Sequence, residues 1–286
     1  MADRLGVRLL GEFRLDGAEL DALRSRQART LLKRLALERG GTVAADSLVE
    51  AVWPAGRPAQ PDRDLHVLVS RARTVVGADR VVRRDGGYAL AADWWDVDDL
   101  VTLTREAARR ADAGDLVGAR TAAEGALALV RGVLLADEPD ADWAADARSA
   151  ADAAVAEVRR VAATTALATG QVGDAAAHAG AALRADPYDE AALRTLMRAH
   201  VAAGRPASAL AEFARVRELL AEELGVDPAP ETRALHEELL REEPAPIRSP
   251  EPTSALVGRA AEVRALDAEL EQSRAGARIV VVYGEP

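Results

Sequence analysis

The chain has 286 residues, enough for two compact domains, and nearly half of them are apolar while only 3% are aromatic. Cores built from Ala, Leu and Val rather than aromatic rings point to close-packed helices, and the absence of cysteine excludes disulfides, thiolate metal sites and a cysteine nucleophile. The net charge of −10 argues against a uniformly nucleic-acid-binding surface, but it is unevenly spread. Residues 1–95 hold 16 Lys and Arg against 13 Asp and Glu, whereas the remainder holds 21 against 34. A weakly basic head on an acidic body is the pattern this asymmetry predicts.

In chain order, Val7 to Leu20 alternates apolar and polar residues through Leu9, Phe13 and Leu15, and Asp16-Gly17 carries a two-residue hairpin signal. Ser25 then offers a cap to a first helix with Ala28, Leu31, Leu32 and Leu35 on one face, ended by Gly40-Gly41. A second helix carries Leu48, Val49, Val52 and Trp53 and stops at Pro54. Ala44, before it, has no capping hydroxyl.

The spacing predicts a third helix from about Asp62 to Val76. Its buried face is Leu65, Leu68, Val69, Ala72, Val75 and Val76, and its opposite face Arg63, His66, Val67, Ser70 and Thr74, flanked by Arg71 and Arg73. Asp62 and Asp64 at its start suit the helix dipole but repel phosphate. Two short strand patterns follow around Asp85-Gly86, with Arg83 and Arg84 giving the hairpin a basic tip.

From Asp96 the pattern is helix after helix. A glycine followed four residues later by a small residue and then alanine recurs at Gly114/Gly118/Ala119, Gly170/Asp174/Ala175 and Gly204/Ser208/Ala209. The last two copies are 34 residues apart, the period of tetratricopeptide helix hairpins, and the first is set off by a longer gap containing Asp137-Glu138-Pro139-Asp140. Three or so helix pairs with an irregular insertion are expected. Trp94-Trp95, just after the hairpin, reads as a packed seam between the two domains rather than as a platform for bases.

Strands, three helices and a basic hairpin in this order resemble the winged helix of OmpR-type response regulators. Asp46-Ser47-Leu48-Val49-Glu50-Ala51-Val52-Trp53-Pro54, His66-Val67-Leu68-Val69-Ser70-Arg71-Ala72-Arg73 and Gly87-Tyr88 look like the DNA-binding half of the Streptomyces antibiotic regulatory protein family. Asp186-Pro187-Tyr188-Asp189-Glu190, Ala203-Gly204-Arg205 and Leu224-Gly225-Val226-Asp227-Pro228 resemble that family's bacterial transcriptional activator domain. The fold class expected is therefore mainly α: a winged helix-turn-helix (α+β) over residues 1–93, then an all-α tetratricopeptide-like repeat domain over 94–243. A Pro-rich linker is read at 244–255. Residues 256–286, ending in Val280-Val281-Val282-Tyr283-Gly284, resemble the opening of a P-loop ATPase domain cut short.

The resemblance implies a cytoplasmic transcription activator, not an enzyme, that binds direct-repeat sites in double-stranded promoter DNA as a homodimer and recruits RNA polymerase with its sigma factor, for antibiotic biosynthesis genes. Arg63, His66, Val67 and Ser70 are the candidates for reading bases, and Arg71, Arg73, Thr74, Arg83 and Arg84 for holding phosphates. No cofactor is expected here, ATP and Mg being reserved for a longer parent. No membrane partner is expected either: the N-terminus lacks a signal pattern, and no apolar run approaches the ~20 residues that cross a bilayer. His66, His178, His200 and His236 lie without metal-ligand spacing. A repeat scaffold whose winged helix binds protein instead of DNA remains the rival reading.

Overall fold

The computed structural model describes residues 4–241; the expected linker and the segment resembling a P-loop entrance lie outside them. Two small sheets and three helices form the N-terminal module. Strands β1 (Gly6–Arg8) and β2 (Arg14–Asp16) pair antiparallel with Val7 opposite Leu15, and β6 (Trp94–Trp95) runs parallel to β1 on its other side. The second sheet has the order β3 (Val43–Ala44), β5 (Gly87–Leu90), β4 (Val81–Arg84), all antiparallel. Helices α1 (Arg26–Leu37), α2 (Ala45–Val52) and α3 (Pro61–Val76) bury the apolar stripes read from the sequence, with Leu31, Leu32, Leu48, Leu65, Leu68 and Ala72 in one core.

One expectation is corrected. Asp16-Gly17 does not turn the first hairpin; it is the exit from β2, and the link between β1 and β2 is Leu9–Phe13. The local turn signal loses to burial and long-range hydrogen bonding, since Leu9, Leu10 and Phe13 are all buried and their amides are bonded from far along the chain. Gly17 is used differently, at φ +85° and so close to the Arg4 carbonyl that a Cβ would lie 2.2 Å from it.

The missing cap of α2 also finds its reason. Ala44 makes no side-chain cap bond, and the amide of Ala45 instead donates to the Gly86 carbonyl at the hairpin tip, 3.0 Å away. That approach needs Gly87, whose Cβ would sit 1.9 Å from the Val43 carbonyl. The hairpin thus starts the second helix.

Seven α-helices follow among the described residues: α4 (Asp96–Asp112), α5 (Leu116–Leu129), α6 (Ala145–Ala168), α7 (Val172–Ala185), α8 (Glu190–Ala202), α9 (Pro206–Leu219) and α10 (Pro230–Arg241). The recurrent motif marks the turns α4–α5, α6–α7 and α8–α9. Gly114, Gly170 and Gly204 take φ +79°, +78° and +71°, and Ala119, Ala175 and Ala209 are fully buried where paired helices meet. The second family-like motif has local work too. Asp189 caps α8 through the Ala192 amide at 3.0 Å, and Glu190 accepts the Ala229 amide at 2.8 Å, tying the loop before α10 to the last repeat.

No gap separates the two modules, because residues through Leu239 pack as one unit. Trp94–Trp95 is a strand of the first sheet, with Trp95 against the shared core and the Trp94 indole N–H donating to Asp99 at 2.7 Å. Asp96, 0% exposed at the start of α4, accepts the amides of Leu9 at 2.8 Å and Leu10 at 3.0 Å. The irregular insertion supplies a second clasp, in which Asp137 accepts the Phe13 amide at 3.0 Å. Lys33 of α1, 4% exposed, reaches Asp137 at 2.6 Å and Glu138 at 2.8 Å. Arg148 of α6 braces the insertion by donating to the carbonyls of Leu134, Ala141 and Glu138.

Burial by itself would raise the Asp137 carboxyl, but Lys33 and the Phe13 amide outweigh it and hold the group below its ordinary value of 3.8. A lowered carboxylate contributes stability above that value and loses it as pH falls through the folded one. Asp96 behaves oppositely: burial pushes it up despite the Leu9 and Leu10 amides and Arg131, so its ionisation subtracts stability as pH rises from 3.8. Lys33→Met strands two acids against the seam and is expected to cost about 3 kcal/mol, the low end for breaking a buried pair. Chemical denaturation followed at neutral pH and below pH 4 checks this, and the gap between variant and parent should shrink in acid.

Candidate nucleic-acid interface

Helix α3 is set by local chemistry at both ends. Pro61 occupies its first turn with Asp62 and Asp64 beside the positive end of the dipole, and Gly77 at φ +103° closes it. Packing of Leu65, Leu68, Val69 and Ala72 fixes its rotation and turns Arg63, His66, Val67, Ser70, Arg71 and Thr74 to the surface. Val67 is 44% exposed, unusual for a valine on a helix whose other apolar residues are covered.

The hairpin β4–β5 is bonded to one flank of this helix. Tyr88, buried on β5, meets the His66 ring edge-on with centroids 6.4 Å apart, and its hydroxyl lies 3.2 Å from His66 Nδ1. Arg73 donates through Nε and Nη2 to the Val81 carbonyl at 2.9 and 2.7 Å. The wing is therefore held at a set distance from α3.

The structure distributes the predicted residues unequally. Arg63, Val67, Ser70, Arg71 and Thr74 share the outer face of α3; Arg63 touches only Gln60 at 3.3 Å, and the Thr74 hydroxyl donates to the Ser70 carbonyl at 3.1 Å. Arg83 and Arg84 are exposed on the wing, where Arg84 makes one bond to the Gly40 carbonyl at 3.2 Å. Arg73 is placed differently from expectation: half-buried, with two donors committed to Val81, it fastens the wing instead of facing outward. His66 is exposed but shared with Tyr88. The residue that pattern reading did not single out is Tyr88. Its position after Gly87 belonged to the family-like motif, but only the fold reveals that it touches His66.

At the other end of the helix-turn-helix, Arg57 pairs with Asp46 at 2.6 Å, which neutralises the first turn of α2. Arg71 and Arg83 carry no ion pair or hydrogen bond among the described residues, so two cationic groups stand ready on either side of the outer face. Hydrogen-bonding and apolar side chains thus run along the outer face of the helix, with guanidinium groups beside it.

Residues 95–240 match the family model described as the bacterial transcriptional activator domain. The chain belongs to that family, of the Streptomyces antibiotic regulatory protein type. Among curated relatives of this family, regulatory protein AfsR of Streptomyces griseus is 34% identical over 86% of the chain and 26% of its own length. Transcriptional regulatory protein EmbR of Mycobacterium tuberculosis is 28% identical over 88% and 67%. The chain spans about a quarter of the length of the AfsR relatives it matches. A solved structure of M. tuberculosis EmbR, in complex with a low-affinity phosphopeptide, superposes with a TM-score of 0.74 at 25% identity, covering 94% of this chain and 72% of that one. A winged helix followed by tetratricopeptide-like helices is the architecture of this family member, and no helix among its described residues is long and apolar enough to cross a membrane.

The two arginines that resemble each other in sequence should separate in experiment. Arg73→Ala removes two hydrogen bonds to the carbonyl of the buried Val81 and is expected to lower stability by about 1–2 kcal/mol. Arg71→Ala, which removes no ion pair or hydrogen bond, should stay within about 0.5 kcal/mol of the parent. Thermal unfolding of both variants checks the division.

Proposed function

We propose that this chain is a sequence-specific DNA-binding transcriptional activator, with α3 laid in the major groove and the β4–β5 wing on the neighbouring backbone. The observation that carries the reading is the outer face of α3: Arg63, Val67, Ser70 and Thr74 in a row, bordered by Arg71 on one side and by a wing bearing Arg83 and Arg84 on the other. In this reading Arg63, His66 and Ser70 meet base edges, Val67 contacts a thymine methyl, and Arg71, Thr74, Arg83 and Arg84 hold phosphates.

Family membership supports the remaining roles. The chain binds direct-repeat promoter sites as a side-by-side homodimer, and its repeat domain brings RNA polymerase and its sigma factor to genes for secondary-metabolite biosynthesis. The acidic character of the sequence beyond residue 95 suits a surface that faces protein while the basic head faces DNA.

Binding to duplex DNA should fall as salt rises, with a log–log slope of about −0.9 per phosphate contact. Arg83→Ala is expected to weaken binding to all sequences and flatten that slope. Val67→Ala should leave the slope intact and relax preference at one position by about 1 kcal/mol. Fluorescence anisotropy across a salt series, with promoter fragments and scrambled controls, reads both effects. Affinity that ignores salt would remove DNA as the partner and favour the protein-scaffold reading.

A further inference from the structure

We propose that the DNA interface continues past α3 onto the turn that leads into α1, where Arg24 and Arg71 line one open groove and together hold the phosphate strand on the side of α3 away from the wing. The proposal rests on the DNA-binding reading above and adds to it a second anchoring strand.

The argument begins with the rotation of α3. At about 100° per residue, His66 and Arg71 project about 140° apart around the axis. His66 and Arg73 occupy the flank bonded to the wing. Arg71, Thr74 and Val75 look the other way, into a groove of about 840 Å³ whose opposite wall is Leu15, Gly17, Arg24 and Ser25. A major groove is about 12 Å wide and is bordered by a phosphate strand on each side, so a helix lying in it has one strand on either flank. The wing serves one of them. On the other flank the cations lining this groove are Arg24 and Arg71.

Both guanidinium groups are available. Arg24 and Arg71 are exposed, and neither has an ion-pair or hydrogen-bond partner among the described residues. The backbone that carries Arg24 is already ordered. The amides of Ala22 and Leu23 bond to the carbonyls of Glu19 and Leu20, both at 3.0 Å, Leu23 is buried, and Arg29 Nε donates to the Leu23 carbonyl at 2.6 Å. Gly17, wedged against the Arg4 carbonyl, fixes the start of the same turn. A phosphate entering this groove orders only the arginine side chains, which keeps the entropic cost low. Glu19 also lines the groove and opposes the two cations, so the expected contribution is that of single phosphate contacts and not of a deep anion site.

The test is a salt series of anisotropy measurements on the full chain with a labelled duplex, using Arg24→Ala, Arg24→Lys, Arg71→Ala and, as a control, Arg105→Ala, an exposed arginine on α4. Arg24→Ala and Arg71→Ala should each reduce the magnitude of the slope by about 0.9, Arg24→Lys should keep it, and Arg105→Ala should match the parent. An unchanged slope for Arg24→Ala beside a reduced one for Arg71→Ala would overturn the extension and leave the α3 reading in place. Unchanged slopes for both would overturn the extension and the assignment of Arg71 together.

Discussion

Everything about this molecule turns on a carboxylate that should be costly. Asp96 is wholly buried, and burial alone disfavours its charge. It is accommodated because the chain bends at Leu9 and Leu10 so that two backbone amides point at it, with Arg131 a further 3.5 Å away. Those amides belong to the link that leaves the first strand of the N-terminal module, and the aspartate opens the first helix of the repeat domain. The junction therefore satisfies two backbone donors and one anion at once, and neither module has a complete hydrogen-bond inventory without the other.

The insertion between α5 and α6 repeats the device with different residues. A break in a helical array is ordinarily read as decoration, yet here Asp137 and Glu138 reach across to Lys33 and to the Phe13 amide. Charged groups of this kind are poor sources of net stability but good sources of specificity, because any other placement leaves a buried charge unpaired. Beside the shared apolar core, the seam is thus defined by four polar side chains, Asp96, Asp137, Glu138 and Lys33.

How much of this was legible beforehand follows from the range of the interactions. Helical stripes such as Leu65, Leu68 and Ala72, the cap at Ser25 and the turn glycines Gly114, Gly170 and Gly204 depend on neighbours within a few residues, and the sequence pattern exposes them directly. The outer face of α3 was readable for the same reason, as the complement of a buried stripe. What stayed hidden depends on distant partners. The Asp16-Gly17 signal was overruled by acids about 80 or more residues away. Arg71 and Arg73 differ by one helical step of two residues, and only the position of the Val81 carbonyl distinguishes a free cation from a fastening. Arg24 sits in an unremarkable arginine-rich stretch, and its relation to α3 exists only after the chain has folded back.

The seam between winged helix and repeat domain has one more consequence, and it concerns angle. Because the two modules share a core, the heading of the repeat surface around a duplex would, on the proposed reading, be dictated by where α3 lies. Duplex DNA rotates once in about 10.5 base pairs, so a shift of the binding site by half that length carries the attached helices to the far side of the double helix. A flexible tether would absorb such a shift. On the proposed DNA-binding reading, a fused seam would make the chain sensitive to phase as well as to sequence.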